Sequence, residues 1–174
     1  LNADVNLNAG HIMKSNNLFN ELFESLEMPA IEISELDPYN LEYEGFDFSV
    51  SQTRYRSRLA KKTPKKAGYF LAIWEKNSEN KNTPFSAETF PDYLIVNIID
   101  DERKGQFIFP KRVLQQQGIL SSPAQLGKMA FRVYTRWDQD LNSSATKTAK
   151  WQIPYFVELS VEDSTRDYLR QVYR

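Results

Sequence analysis

Cysteine is absent from the 174 residues, and histidine occurs once, at position 11. The first absence excludes disulfides, thiol nucleophiles and cysteine-ligated metal sites. The second leaves no parts for a Ser-His-Asp triad, a Cys-His dyad or a histidine-built zinc centre. No GxxxxGK[ST] or GxGxxG string is present, so the usual glycine-rich phosphate cradles are missing too. Uninterrupted apolar runs are only a few residues long, against the roughly 20 needed to cross a bilayer, and no membrane association is expected. The opening LNADVNLNAG lacks the apolar core of a signal peptide; residues 1–14 read as a flexible leader, and the cytoplasm is the expected compartment. The chemistry that this composition still allows is a carboxylate-held magnesium or manganese ion with a nearby lysine, as in metal-dependent nucleases. Outside that case no cofactor and no metal is expected.

Positive charge is missing from one long stretch. Between Lys14 and Arg54 there is no lysine or arginine and there are nine acids. Then Arg54, Arg56, Arg58, Lys61, Lys62, Lys65 and Lys66 follow within thirteen residues without an acid among them. A net charge of −1 thus conceals a local excess suited to a polyanion such as DNA or RNA.

What is present is enough apolar material for one core: 41% hydrophobic and 13% aromatic residues predict a single domain over 15–174. Leu18, Phe19, Leu22, Phe23 and Leu26 recur at helical spacing and predict a helix from about Ser15 to Met28, stopped by Pro29. Tyr43 to Val50 and Arg54 to Lys61 alternate with period two and read as a hairpin. Its expected register sets Phe46 against Leu59, Phe48 against Ser57, Val50 against Tyr55, Glu44 against Lys61, Asp47 against Arg58 and Ser49 against Arg56. A slip by one residue would instead oppose phenylalanines and arginines and forfeit cross-strand pairs worth roughly 0.2–1 kcal/mol each. Gln-Thr is a poor two-residue turn, which favours a longer loop.

Further along, Gly68 to Trp74 is nearly all apolar and reads as a central strand buried on both faces. The polar tract 75–88 reads as a surface loop. Tyr93 to Ile99 and Gln106 to Phe109 form a second hairpin about a charged turn, and Pro110 opens a short helix stopped near Gly118. A strand over 128–137, a helix over 144–152 and a terminal helix over 161–173 complete the chain. Strands in the middle with helices towards both ends predict an α+β fold, a mixed, largely antiparallel central sheet flanked by helices.

Two arrangements bear on catalysis. Pro91-Asp92 followed by Glu102-Arg103-Lys104 reproduces the PD-ExK string of restriction-type nucleases. However, these acids fall at opposite ends of one predicted strand, about 30 Å apart at roughly 3.3 Å per residue, too far to share an ion. Glu44 and Lys61 are the second pair, brought together by the expected register, although position 59, where a nuclease carries a second acid, is leucine. A plain cross-strand ion pair is the favoured reading of these two residues. For binding, Arg54, Arg56, Arg58, Lys61, Lys65 and Lys66 are candidate phosphate contacts, with Lys111, Arg132, Arg136, Lys147 and Lys150 extending the surface if the fold gathers them. Tyr55 and Trp151 are candidates for stacking on unpaired bases. The alternatives are a protein or small-ligand partner for an adaptor, or a divalent-metal nuclease.

A wider pattern runs through the same region. Tyr43-Glu44 with Phe46, Arg58-x-Ala60-Lys61-x-Thr63-Pro64-x-Lys66-x-Gly68-x-Phe70, and Gly105-Gln106-Phe107-Ile108-Phe109-Pro110-Lys111 occur in order. Gly118-Ile119-Leu120-Ser121, Phe131-Arg132-Val133-Tyr134 with Trp137, and Lys147-Thr148-x-Lys150-Trp151-Gln152 follow them. From about Tyr43 to Leu159 this ordered set resembles the MepB family, named for a small cytoplasmic product of a bacterial multidrug-efflux operon. The resemblance implies a bacterial α+β protein with a fold similar to restriction endonucleases. Leu59 departs from the nuclease pattern, so the resemblance carries nucleic-acid binding further than it carries cleavage.

Overall fold

The computed structural model describes residues 13–159 and 162–174. His11 and nearly all of the expected leader lie outside the described residues; residues 13 and 14 already belong to the first helix. Helix α1 (Met13–Ser25) turns Phe19, Leu22 and Phe23 inward. It ends before Pro29, because Glu27 adopts a left-handed conformation (φ 58°) and the Met28 N–H returns to the Phe23 carbonyl.

The strands that follow are β1 (Ile33–Leu36), β2 (Phe46–Val50), β3 (Thr53–Leu59), β4 (Lys61–Lys62), β5 (Tyr69–Ala72), β6 (Trp74–Lys76) and β7 (Asn82–Pro84). Next come β8 (Tyr93–Asp100), β9 (Arg103–Pro110), helix α2 (Lys111–Gln116), β10 (Ala130–Val133), helix α3 (Ser143–Gln152), β11 (Phe156–Glu158) and helix α4 (Asp163–Val172). Six of the strands build the main sheet in the order β1-β2-β3-β8-β9-β11. Only the β3–β8 pair is parallel, so the sheet is mixed and largely antiparallel, as expected of an α+β chain. The β8–β9 hairpin is its backbone: Leu94, Ile95, Val96 and Ile98 face Phe107, Ile108 and Phe109 across a ladder of eight pairs.

Each face of this sheet covers its own core. On one side α1, α4 and the residue after it pack Phe19, Phe23, Leu169 and Tyr173 against Phe46, Phe48, Tyr55, Ile95 and Ile108. On the other, Leu94, Val96, Ile98, Phe107 and Phe109 meet a second layer that supplies Tyr69, Leu71, Phe85, Phe90, Leu114 and Val133. That second layer contains the first correction. The apolar run Gly68 to Trp74 is not a central strand; it divides at Ile73 between a three-stranded sheet, β10-β5-β4, and a two-stranded ribbon, β6-β7. The expected surface loop 75–88 contributes the ribbon's other strand and the buried Phe85. Of these elements, β4 to β7 lie in the crossover that lets β3 run parallel to β8, a connection too long for a turn.

Candidate nucleic-acid interface

The hairpin closes more tightly than expected. Ser51 accepts a left-handed conformation (φ 54°) and a two-residue Ser51-Gln52 turn sets Phe46 opposite Ser57, Asp47 opposite Arg56, Phe48 opposite Tyr55 and Ser49 opposite Arg54. This is a shift of two residues from the expected ladder, so each side chain keeps its face but changes its partner. The gain is visible in the pairs. Phe48 stacks on Tyr55 with ring centroids 4.9 Å apart, and Asp47 accepts two hydrogen bonds from Arg56 at 2.8 and 2.9 Å.

The shift also changes what the arginines can do. Arg54, Arg56 and Arg58 share one face, but at Arg56 and Arg58 that face is covered by the second layer rather than by water. Arg56 lies over the Phe85 and Phe90 rings, 4.4 and 5.0 Å from their centroids. Arg58 is 0% exposed and binds Asp37 at 2.5 Å, so it cannot be a phosphate contact. Burial lowers the Arg58 guanidinium to about 10, and Asp37 opposes that shift. Tyr55 is also fully buried, its hydroxyl donating to the Val172 carbonyl, and is unavailable for stacking on a base. Only Arg54 of the three arginines is exposed, and the Asp92 carboxylate accepts from its backbone N–H at 2.8 Å.

The suggested Glu44–Lys61 pair is not formed. Glu44 is buried and accepts the Ser15 N–H at 3.0 Å, satisfying one of the open donors in the first turn of α1. Lys61 instead approaches Glu42 at 3.8 Å, both exposed. Asp92 and Glu102 lie beyond opposite ends of β8, as the strand length required. Among the described residues no three acid, histidine or cysteine side chains gather where one ion could be held.

A different set of basic residues converges. Between β10 and α3 lies a cavity of about 310 Å³ lined by Lys128, Arg132, Lys147, Thr148, Phe131, Tyr134 and Trp151 among others, with no acid in its wall. The two walls are stapled by Gln152, whose buried amide accepts the Tyr134 N–H at 2.9 Å and donates to the Arg132 carbonyl at 2.8 Å. Asn142 caps α3 by accepting from the Ala145 N–H. On this helix Lys147 stands four residues before Trp151 and three before Lys150, so all three share a side.

Arg132 ties the cavity to the Thr-Pro-Lys-Lys loop. Its guanidinium donates to the Thr63 hydroxyl at 2.6 Å and to the Ala67 carbonyl at 2.9 Å, and so fixes Lys65 and Lys66 beside β10. Gly68 allows this approach: at φ +79°, a Cβ there would stand 2.7 Å from both the Tyr134 ring and the Val133 carbonyl. Lys65, Lys66, Lys128, Lys147 and Lys150 are exposed and form no ion pair among the described residues. Arg136 and Lys111 are not gathered here; they line separate cavities that contain Glu158 and Glu162, and Glu88.

Lys128 was not among the sequence candidates. A signal for it existed: from Arg103 to Trp137 there is no acid, and there are seven bases. They are spaced widely enough to escape a search for dense runs.

The comparisons with known proteins agree with this architecture. No curated protein matches the chain. A crystal structure of MepB superposes with a TM-score of 0.76 at 44% identity, covering 84% of this chain and 97% of that one. The family model described as MepB-like matches residues 37–158, which include the main sheet apart from β1, the second layer and the basic cavity. The chain therefore belongs to the MepB-like family.

Proposed function

We propose that this protein binds nucleic acid through the basic cavity between β10 and α3 and the adjoining 63–67 loop, and that its core, nuclease-like in ancestry, does not cleave. The observation that carries the reading is the unneutralised charge: Lys128, Arg132 and Lys147 share an acid-free wall, with Lys65, Lys66 and Lys150 beside it. Unpaired cations around a concavity draw a phosphate chain by counterion release, whereas Arg56 and Arg58 are already occupied by Asp47 and Asp37. Glu44 serves the first turn of α1 and Leu59 stands in the core, which supports binding without catalysis. A cytoplasmic location suits the same reading.

The test is a salt titration of binding to a fluorescent DNA or RNA. With about four phosphates neutralised, the slope of log affinity against log salt is near −3.6 on duplex, and Lys128→Glu with Lys147→Glu flattens it. Absence of retention at about 50 mM salt would refute the proposal.

A further inference from the structure

The main sheet ends on one side at β11, and the outer edge of that strand is open. We propose that this edge, with α4 beside it, receives the C-terminal end of an extended peptide from a partner protein, added antiparallel to β11 with its terminal carboxylate on Arg136. The site shares no lining residue with the basic cavity, so the inference stands apart from nucleic-acid binding.

The ladder decides which backbone groups the edge offers. β11 pairs with β9, Phe156 opposite Phe107, Val157 opposite Gln106 and Glu158 opposite Gly105. One residue further on, the Leu159 N–H donates to the Lys104 carbonyl. Hydrogen-bonded and non-bonded pairs alternate in an antiparallel ladder, so Val157 and Leu159 turn their backbone groups to β9, and Phe156 and Glu158 turn theirs outward. The Phe156 N–H is spent on the Ile153 carbonyl. What remains is the Phe156 carbonyl and both backbone groups of Glu158, without a backbone partner among the described residues.

Edges are commonly kept from pairing by being short, charged or covered, and β11 is short and carries Glu158. It is not covered. A cleft of about 550 Å³, lined by all three residues of β11, separates the strand from α4, whereas a helix packed onto the edge would leave no such space. On the Phe156 face stands Arg136, its guanidinium 5.6 Å from the ring centre. On the Val157 face stands α4, which lines the cleft with Ser164, Thr165 and the half-exposed Tyr168. The volume lies within the roughly 300–1,000 Å³ of ligand sites, and strand addition of this kind draws affinity from the main chain and specificity from alternate side chains.

Direction and chemistry follow from the spent N–H. Antiparallel to β11, a peptide residue opposite Glu158 exchanges two hydrogen bonds with it, and the residue two further on donates to the Phe156 carbonyl. The carbonyl of that residue meets no backbone donor, because Phe156 has given its N–H to Ile153. Arg136 beside Phe156 supplies donors instead, and a guanidinium favours a carboxylate over an amide carbonyl, so the peptide ends there. Opposed side chains share a face. The third residue from the end therefore lies beside Glu158 and is basic, the last lies beside Phe156 and is apolar, and the one between them points towards Tyr168.

The experiment screens the full chain against immobilised peptides of about seven residues, randomised at their last three positions, with a free C-terminal carboxylate or an amide. Retained peptides should carry lysine or arginine third from the end, and amidation should weaken the best of them about tenfold or more, as loss of a charge-assisted hydrogen bond does. Arg136→Gln should erase that difference. Glu158→Pro removes the outward N–H and leaves the ladder to β9 whole, at an edge position that tolerates proline; it should abolish retention with thermal unfolding unchanged. Glu158→Gln keeps the N–H and should bind without preference for a base, and Glu158→Lys should reverse the preference to an acid. Absence of carboxylate-dependent retention would overturn the inference, as would binding that survives both Glu158→Pro and Arg136→Gln. A dimer that Glu158→Pro converts to a monomer, with no peptide retained, would also overturn it and give the edge to a second copy of this chain.

Discussion

Arg58 shows how much a single side chain is constrained by its surroundings. It enters the sheet's second-layer core at a point where Gly45 leaves room: a Cβ at 45 would lie 2.7 Å from Arg58 Nη1 and 2.9 Å from the Asp37 Cβ. Asp37 in turn accepts from the Tyr39 and Asn40 backbone N–H groups and from the Asn40 amide, so its carboxylate is held by neutral donors as well as by the guanidinium. The two partners are therefore unequal. Removing the acid leaves a fully buried cation without its counterion; removing the cation leaves a partly exposed acid with three donors. Asp37→Ala should cost about 3–5 kcal/mol, and Arg58→Met distinctly less. Urea denaturation of the two variants checks the order, and equal losses would show that the buried guanidinium left without Asp37 carries no extra penalty.

At the scale of elements, the cavity depends on the docking of α3 against β10, and Gln152 makes that joint. Its amide satisfies two backbone groups of the strand, and a methyl in its place satisfies neither. Gln152→Ala should therefore destabilise the fold by about 1–3 kcal/mol, with faster hydrogen exchange at the Tyr134 amide, while Lys150→Ala, at an exposed position, should leave stability within about 0.5 kcal/mol. Exchange at Tyr134 that stays slow in Gln152→Ala would show that another contact holds the joint.

The elements also differ in how far they can be read from the sequence. The β8–β9 hairpin and α2 are legible because their signals are local: a charged stretch between two apolar runs, and Pro110 before a short helix. The β2–β3 register is half legible. Alternation assigns the faces correctly, but the partners depend on a strained Ser51 that composition does not announce. Membership of a sheet is not legible at all for β5 and β6. An apolar run reports burial, and burial in the second layer looks the same as burial in the first. The binding site suffered from the same limit, since Lys65, Lys128 and Lys147 are joined only by long-range contacts such as Arg132 to Ala67.

For the whole molecule, the step in charge at Arg54 changes meaning on folding. The acid-rich stretch before it folds back and supplies Asp37, Glu42 and Asp47 to Arg58, Lys61 and Arg56. Three of the seven bases in the densest segment are thus paired from within, Lys65 and Lys66 stay free, and the rest of the free positive charge around the cavity comes from the sparser, acid-free stretches at β10 and α3. The same burial that silences Arg58 also binds tyrosines into the interior, and this sets the response to alkali. Burial raises the Tyr55 phenol to about 12, and Tyr69 and Tyr173 move in the same direction for the same reason. Their hydroxyls donate to the Val172 carbonyl, the Asp100 carboxylate and the Gln106 side chain, bonds that a phenolate cannot make. In the unfolded chain these phenols titrate near 10. From about pH 10 to 12 the folded state therefore retains protons that the unfolded state has lost, and stability falls as pH rises. Arg58, lowered to about 10, acts in the opposite sense, but as one group against three. Stability towards urea should hold up to about pH 9.5 and then decline steeply. Tyrosinate absorbance from the buried rings should appear together with the loss of far-ultraviolet circular dichroism. If all nine tyrosines ionised near pH 10 with the fold intact, these phenols would not be the groups that link folding to alkali.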